Sequence, residues 1–210
     1  TRFPDLKITG LCHEIASMSR QLPTLMETDL DNIQFEAGGL NHFSILLHAT
    51  YKDSGKDGYP LINKNFEGYY SCLVNDHEGF FSNAGAERGL FFELFKRYGY
   101  LPITTDSHLG EYLSWAYSVA DHDGILDFYD KYKKRCLSFF SKDGYEKFFD
   151  MDRPEPHERA IPIIESIVAD LNMLEHAVNI KNENFIECLP NDIVVEVPAI
   201  INKTGIHGKK

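Results

Sequence analysis

The chain alternates between two kinds of apolar spacing. Residues 6–11 have the look of a short strand, and from 12 to 26 the period lengthens, with Ile15, Met18, Leu22 and Met26 on one side of a predicted helix that Pro23 would bend. Between 32 and 52, "IQFEA" and "HFSILLHATY" read as two β-rich pieces. Gly38-Gly39 is the expected joint, a tight turn that sets down Asn41 and His42. "AGAERGLFFELFKRYG" predicts an amphipathic helix with Leu90, Phe91, Leu94, Phe95 and Tyr98 on its apolar face and Gly99 at its end. "LPITTDSHLGEYLSWAY" is a proline-led loop running into a helix, and a charged, aromatic helical stretch covers about 124–149. After the breaker "MDRPEPHE", "RAIPIIESIVADL" is helical, and "AVNIKNENFIECLPNDIVVEVPAIIN" reads as short strands between Asn- and Pro-bearing turns.

Helices interspersed with non-consecutive strands predict an α+β domain rather than a doubly wound sheet. No G-x-G-x-x-G occurs, so the chain carries no dinucleotide fingerprint. Its 210 residues suffice for one good core, so a single domain is expected over 1–210. No apolar run reaches membrane-span length, and Thr1-Arg2-Phe3-Pro4 does not read as a signal peptide. The formal charge of −11 disfavours nucleic acid and anionic membranes as partners. Cys12, Cys72, Cys136 and Cys188 are scattered and form no C-x-x-C pair. They read as thiols in a reducing compartment, which points to the cytoplasm.

Three constellations carry possible chemistry. Cys12 and His42 each sit where a strand gives way to a turn. Thiolate and imidazole suit a divalent transition metal, but the same residues also serve as a small buried hydrophobe and a hydrogen-bonded turn residue. His13 and Glu14 follow Cys12, and Glu14 has a purely electrostatic reason to stand at a helix N-terminus. Asp106, His108 and Glu111 share one loop and helix start. There Asp106 reads either as a general base or as the N-cap of a helix beginning near His108. In "VNIKNEN", Asn179 and Asn182 suit either sugar hydroxyls or turn geometry.

"GLCHE", "GLNHF", "DSHLGEYL", "VNIKNENFIECLP" and "VVEVPAIIN" occur in the order seen in the family-4 glycoside hydrolases. Those enzymes are the NAD-dependent exceptions among glycosidases. The chain resembles that family from about Lys7 to Gly208. It looks closest to the α-glucosidase, α-galactosidase and α-galacturonidase branch on unphosphorylated sugars, which carries Cys-His after the strand. The resemblance implies a domain similar to the C-terminal domain of lactate and malate dehydrogenases, normally preceded by an N-terminal Rossmann domain. The chain is then expected to be part of a longer, oligomeric, cytoplasmic hydrolase and to be inactive alone.

The family's chemistry removes a hydride from C3 of the sugar with NAD. A base then takes the acidified C2 proton while a divalent metal, usually manganese, steadies the enediolate. The glycosidic oxygen leaves, water adds, and the hydride returns. By this resemblance Cys12 and His42 are metal ligands, and His13 contacts the substrate near the metal as a catalytic residue. Asp106 stands in place of the C2 base. Asn41, His108, Glu111 and Asn179 line the substrate, a glycoside or uronide, and NAD is bound mainly by the Rossmann domain. Ser107, His108 and Leu109 stand where relatives often have a basic residue. The competing expectation is a structural or oligomerisation domain without chemistry of its own.

Overall fold

Helix α1 (His13–Leu25) forms where the apolar spacing lengthens, and Pro23 lies in its last turn. In the computed structural model, which describes residues 8–75, 88–141 and 159–210, Ile15, Met18, Leu22, Leu25 and Met26 are all buried. The stripe read from the sequence is therefore the face that packs, against the strands at 33–40 and 173–181. Full burial of each such side chain contributes on the order of 1.5–3 kcal/mol. Met26 closes the helix by donating its N–H to Leu22 O at 2.8 Å.

The sheet has five strands: β1 (Ile33–Leu40), β2 (Phe43–Tyr51), β3 (Met173–Lys181), β4 (Val194–Asn202) and β5 (Gly205–Gly208). Their order is β2-β1-β4-β3, with β5 pairing to β4 beyond the point where β1 meets it, and every pairing is antiparallel. This is the α+β class that the interspersed strands predict. One expectation needs correction: Gly38 and Gly39 are not the turn. They lie inside β1, paired with Ile45 and Ser44, and the ladder runs on to Leu40–Phe43. The two turn residues are Asn41 and His42. His42 takes φ 63°, a left-handed conformation uncommon outside glycine.

Helix α6 (Ala160–Ala169) covers one face, where Ile163, Val178, Ala199 and Ile201 form a buried cluster. Alternation along β3 and β4 turns Asn179 and Glu196, the next residues in register, to the opposite face. Ser166 of α6 is buried and donates its hydroxyl to Ile201 O at 2.7 Å.

Length suggests one core; the chain is organised as two compact units. One comprises residues 1–65, 98–104 and 157–210, the other 66–97 and 105–156. Helix α2 (Tyr59–Asn75) contributes its first part to the former and its second part to the latter. In the second unit, Phe66 and Tyr70 of α2 pack on Phe91 of α3 (Gly89–Tyr98) with ring centroids 5.7 and 4.8 Å apart. Leu90, Phe91, Leu94 and Phe95 are buried as the periodicity predicts, but Tyr98 is 64% exposed and does not share that face. Gly99 follows at φ 73°, a left-handed residue suited to ending α3. The helix expected after the proline-led loop is a single turn, α4 (Asp106–Leu109). Helix α5 (His122–Phe139) starts with Asp121 as its N-cap, whose carboxylate accepts from Gly124 N at 2.9 Å. The breaker at 151–158 and the ends of two predicted segments, 84–87 and 142–149, lie outside the described residues. No helix among the described residues is long and apolar enough to cross a membrane.

Candidate functional site

In the first unit, the described residues before α1 are tied to the sheet at Asn179. Gly10 N–H donates to Asn179 O at 3.1 Å, and Asn179 N–H returns a bond to Gly10 O at 2.9 Å. A Cβ on Gly10 would stand 3.1 Å from the Asn179 Cβ, so the close approach favours glycine. Two residues further on, Cys12 is the N-cap of α1, in extended conformation and half-buried. It carries a thiol, as do Cys136 and Cys188; the side chain of Cys72 lies outside the described residues. His13 opens α1, and its side chain is likewise outside them. Asn41 and His42, both half-buried, form the hairpin tip of the same unit. Thiolate sulfur and imidazole nitrogen are a donor set that fits a divalent transition metal with positions left for oxygen ligands.

Between these segments one residue per strand forms a continuous row: Ser44 of β2, Gly39 of β1, Glu196 of β4, Asn179 of β3, then Gly10. Glu196 is fully buried. Its Oε1 lies 3.0 Å from Ser44 Oγ, and its Oε2 accepts from Asn179 Nδ2 at 3.0 Å. Ser44 Oγ is also 3.0 Å from Leu40 O. The Ser44–Glu196 contact bridges two strands that are not neighbours, and it passes over Gly39, which has no side chain to obstruct it. Burial pushes the Glu196 carboxyl above the ordinary carboxylate range, against the lowering effect of its bonds to Asn179 and Ser44.

The two asparagines of "VNIKNEN" are both buried. Asn179 is buried and directs Nδ2 to Glu196, while its Oδ1 has no hydrogen-bond partner among the described residues. Asn182 donates Nδ2 to the carbonyls of Ile186, Leu189 and Pro190 and accepts from Ile186 N at 2.8 Å. It organises the loop between β3 and β4, which corrects the sugar-binding alternative for that residue.

In the second unit Asp106 is buried, and its carboxylate meets three backbone N–H groups. Leu90 N and Asp121 N donate to Oδ2, and Phe91 N donates to Oδ1, each at 2.8 Å. Asp106 is therefore a cap, but not of the helix beginning near His108. It caps α3 from sixteen residues downstream, where the unsatisfied N–H groups and the positive end of the helix dipole favour an anion. Thr105 is the N-cap position of α4 itself. His108 Nδ1 and Glu111 Oε1 face each other at 3.7 Å across the same turn. Asp106 and Ser107 border an open depression of about 380 Å³, with Tyr117, His122 and Tyr129 on its other sides.

The sequence reading missed Glu196 and Ser44. The signal for Glu196 was present in "VVEVPAI", a lone carboxylate within an apolar strand, since such a charge is almost never buried without partners.

Comparison with known proteins places these observations in a family. The profile of the family 4 glycosyl hydrolase C-terminal domain matches residues 37–210. An α-glucosidase of Erwinia rhapontici is 41% identical, over 99% of this chain and 49% of its own length. An α-galacturonidase of Lachnoclostridium phytofermentans is 25% identical over 98% of this chain and 47% of its own. Among solved structures, a 6-phospho-α-glucosidase from gut microorganisms, in complex with NAD and Mn2+, superimposes with a TM-score of 0.66 at 20% identity, over 98% of this chain and 48% of that one. At that identity the likeness speaks for the fold. The chain spans about half the length of the curated relatives it matches. With well over half of its residues matched by the family profile, this chain belongs to the C-terminal domains of the family 4 glycosyl hydrolases.

Proposed function

We propose that residues 1–210 are the substrate- and metal-binding part of a longer NAD- and manganese-dependent glycosidase. It cleaves O-glycosidic bonds of unphosphorylated sugars or uronides by redox-assisted elimination. One observation carries the reading: a half-buried thiol at the N-cap of α1 and a half-buried imidazole in left-handed conformation at a hairpin tip occur in one compact unit of this family's domain. The named relatives, an α-glucosidase and an α-galacturonidase, support the substrate class.

Cys12 Sγ and a ring nitrogen of His42 would hold the metal, leaving its remaining positions to sugar oxygens. When bound, the metal supplies Lewis-acid polarisation and NAD a reversible hydride sink. The chain's own residues position the sugar and move its protons. His13 meets the substrate beside Cys12, Asn41 orients the tip around His42, and His108 with Glu111 offers a paired donor and acceptor to hydroxyls. Asp106 is the proposed base for the C2 proton. An ionised carboxylate has about four acceptor positions; three are taken by N–H groups, so the second lone pair of Oδ1 is the one that would receive the proton. The preceding Rossmann domain, the cytoplasmic setting and assembly into a homo-oligomer belong to the same proposal.

The competing structural reading has one observation in its favour. None of the 18 residues of α5 is buried, and Leu126, Tyr129, Tyr132 and Leu137 are exposed along it. Assaying the full-length protein on nitrophenyl α- and β-glycosides and galacturonides decides between the two. Turnover that requires NAD, manganese and reductant together is expected; none on any substrate, with manganese unbound, would leave the structural reading.

A further inference from the structure

We propose that Glu196 is a positioning residue, a buried clamp that joins the segment bearing Cys12 to the hairpin bearing His42. The inference rests on the assignment of Cys12 and His42 as metal ligands and deepens it.

The clamp lies in one row of the sheet. From Glu196, one arm reaches Asn179 Nδ2 at 3.0 Å, and Asn179 holds Gly10 through two backbone bonds, two residues before Cys12. The other arm reaches Ser44 Oγ at 3.0 Å, two residues after His42. Ser44 in turn touches Leu40 O at 3.0 Å, so the contact spans the base of the tip formed by Asn41 and His42. Both candidate ligand segments are thereby tied to one carboxyl group.

Counting hydrogens favours one chemical state. Ser44 has a single hydroxyl hydrogen, and Leu40 O can only accept. Both Ser44 contacts are satisfied when Ser44 donates to Leu40 O and Glu196 donates from Oε1 to Ser44 Oγ. Oε2 is then left to accept from Asn179 Nδ2. A neutral carboxylic acid completes this relay, whereas an anion leaves one Ser44 contact without a hydrogen. The upward push of burial on the carboxyl agrees with the count. No salt bridge to Glu196 is present among the described residues, and a buried anion without a cation costs several kcal/mol. The neutral acid avoids that penalty while keeping both arms.

Such supporting residues act on metal affinity by holding ligands in place, and losing one typically weakens binding about 10- to 100-fold. The test is made in the full-length enzyme by titrating Mn2+ and following the unbound ion by electron paramagnetic resonance, with a melting curve for each variant. Glu196→Ala is expected to weaken Mn2+ at least about tenfold. Glu196→Gln, whose amide can donate to Ser44 and accept from Asn179, is expected to stay within about threefold of wild type. Ser166→Ala, a buried polar deletion in the same unit but away from the row, controls for lost stability and should keep wild-type affinity.

Wild-type affinity in Glu196→Ala overturns the clamp, as does Glu196→Gln weakened as far as Glu196→Ala. Equal weakening in Ser166→Ala also overturns it, since the effect would then be one of general stability. If Glu196→Ala does not fold, Ser44→Ala and Asn179→Ala decide: weakened Mn2+ binding in both supports the clamp, and wild-type affinity in either refutes it. A wild-type enzyme that binds no Mn2+ removes the ligand assignment, and the clamp falls with it. That outcome is distinct from failure of the clamp alone, in which wild type binds and Glu196→Ala binds equally well.

Discussion

Two buried carboxyl groups, Asp106 in one unit and Glu196 in the other, are held in opposite ways. Asp106 receives three backbone N–H groups at the start of α3 and before α5. Glu196 meets two neutral side chains, Asn179 on the neighbouring β3 and Ser44 on β2, two strands away. A helix end supplies fixed donors and a favourable dipole, so it stabilises an anion. A sheet interior has already paired its N–H groups, so a buried acid there is stabilised as the neutral form by side chains that can turn to match it. Where a carboxyl group is buried thus decides which substitute can replace it.

The largest effect is expected at Asp106. Asp106→Ala leaves three N–H donors without their acceptor and should lower unfolding free energy by about 3 kcal/mol or more in urea titration. Asp106→Asn should be intermediate, at about 1–3 kcal/mol, because both oxygens accept and one amide –NH2 must then face a donor. This alters the usual expectation that Asn caps as well as Asp. Activity therefore has to be read together with deuterium incorporation at C2 of the product. A base role predicts turnover down by at least about a hundredfold with C2 exchange lost, and a pure cap predicts exchange proportional to the folded fraction.

Gly39→Ala comes next. An added Cβ would stand 2.4 Å from Phe43 O and 2.9 Å from Ser44 Cα, at φ 154°. About 1–3 kcal/mol of strain is expected, visible as a lower melting temperature. An unchanged melting temperature would mean that the row is looser than its register implies.

Glu196→Gln should change stability by less than about 1 kcal/mol below pH 4.5, where the acid is neutral and the amide reproduces its bonds. The contrast with Asp106→Asn is the sharpest check: equal losses at the two sites would abolish the distinction. Its pH dependence has a definite sign. A carboxyl whose folded value is raised contributes stability that is fully present below its ordinary 4.5 and lost as pH rises through the folded value. Glu196→Gln should remove that decline.

The smallest effect is expected at His176, which stacks on Phe35 with centroids 4.3 Å apart. Burial, with the charges of Arg159 and Lys52, lowers its imidazole below the ordinary 6.5. Its contribution is present above 6.5 and lost as pH falls through the folded value, opposite in sign to that of Glu196. Denaturation of His176→Phe between pH 7 and 5 should show a shallower loss than wild type. A steeper loss would contradict the assignment of a half-buried imidazole held below its ordinary value.

The partition between what was legible and what was not follows sequence distance. The stripe Ile15, Met18, Leu22 and Met26 and the face Leu90, Phe91, Leu94 and Phe95 are buried as their spacing foretells, because a helix brings residues three and four apart together by itself. Tyr98 departs from its face in the last turn before Gly99. The Gly38-Gly39 turn misled because a glycine pair serves equally well inside a strand where neighbouring backbone comes close, as Phe43 O does at 2.4 Å from a Cβ on Gly39.

Local pattern alone marked out helices α1 and α3, the strand-bearing stretches around 32–52 and 177–202, the family motifs and the candidacy of Cys12 and His42, but not the single turn of α4 or the lone bridge at Gly10 in place of a strand. Tertiary structure alone decided which groups the buried acids meet. Asp106 reaches N–H groups fifteen and sixteen residues away, and Ser44 meets Glu196 across 152 residues. Those distances are closed by strand register and loop closure. Register is set jointly by every pair in a ladder, and no single residue type records it.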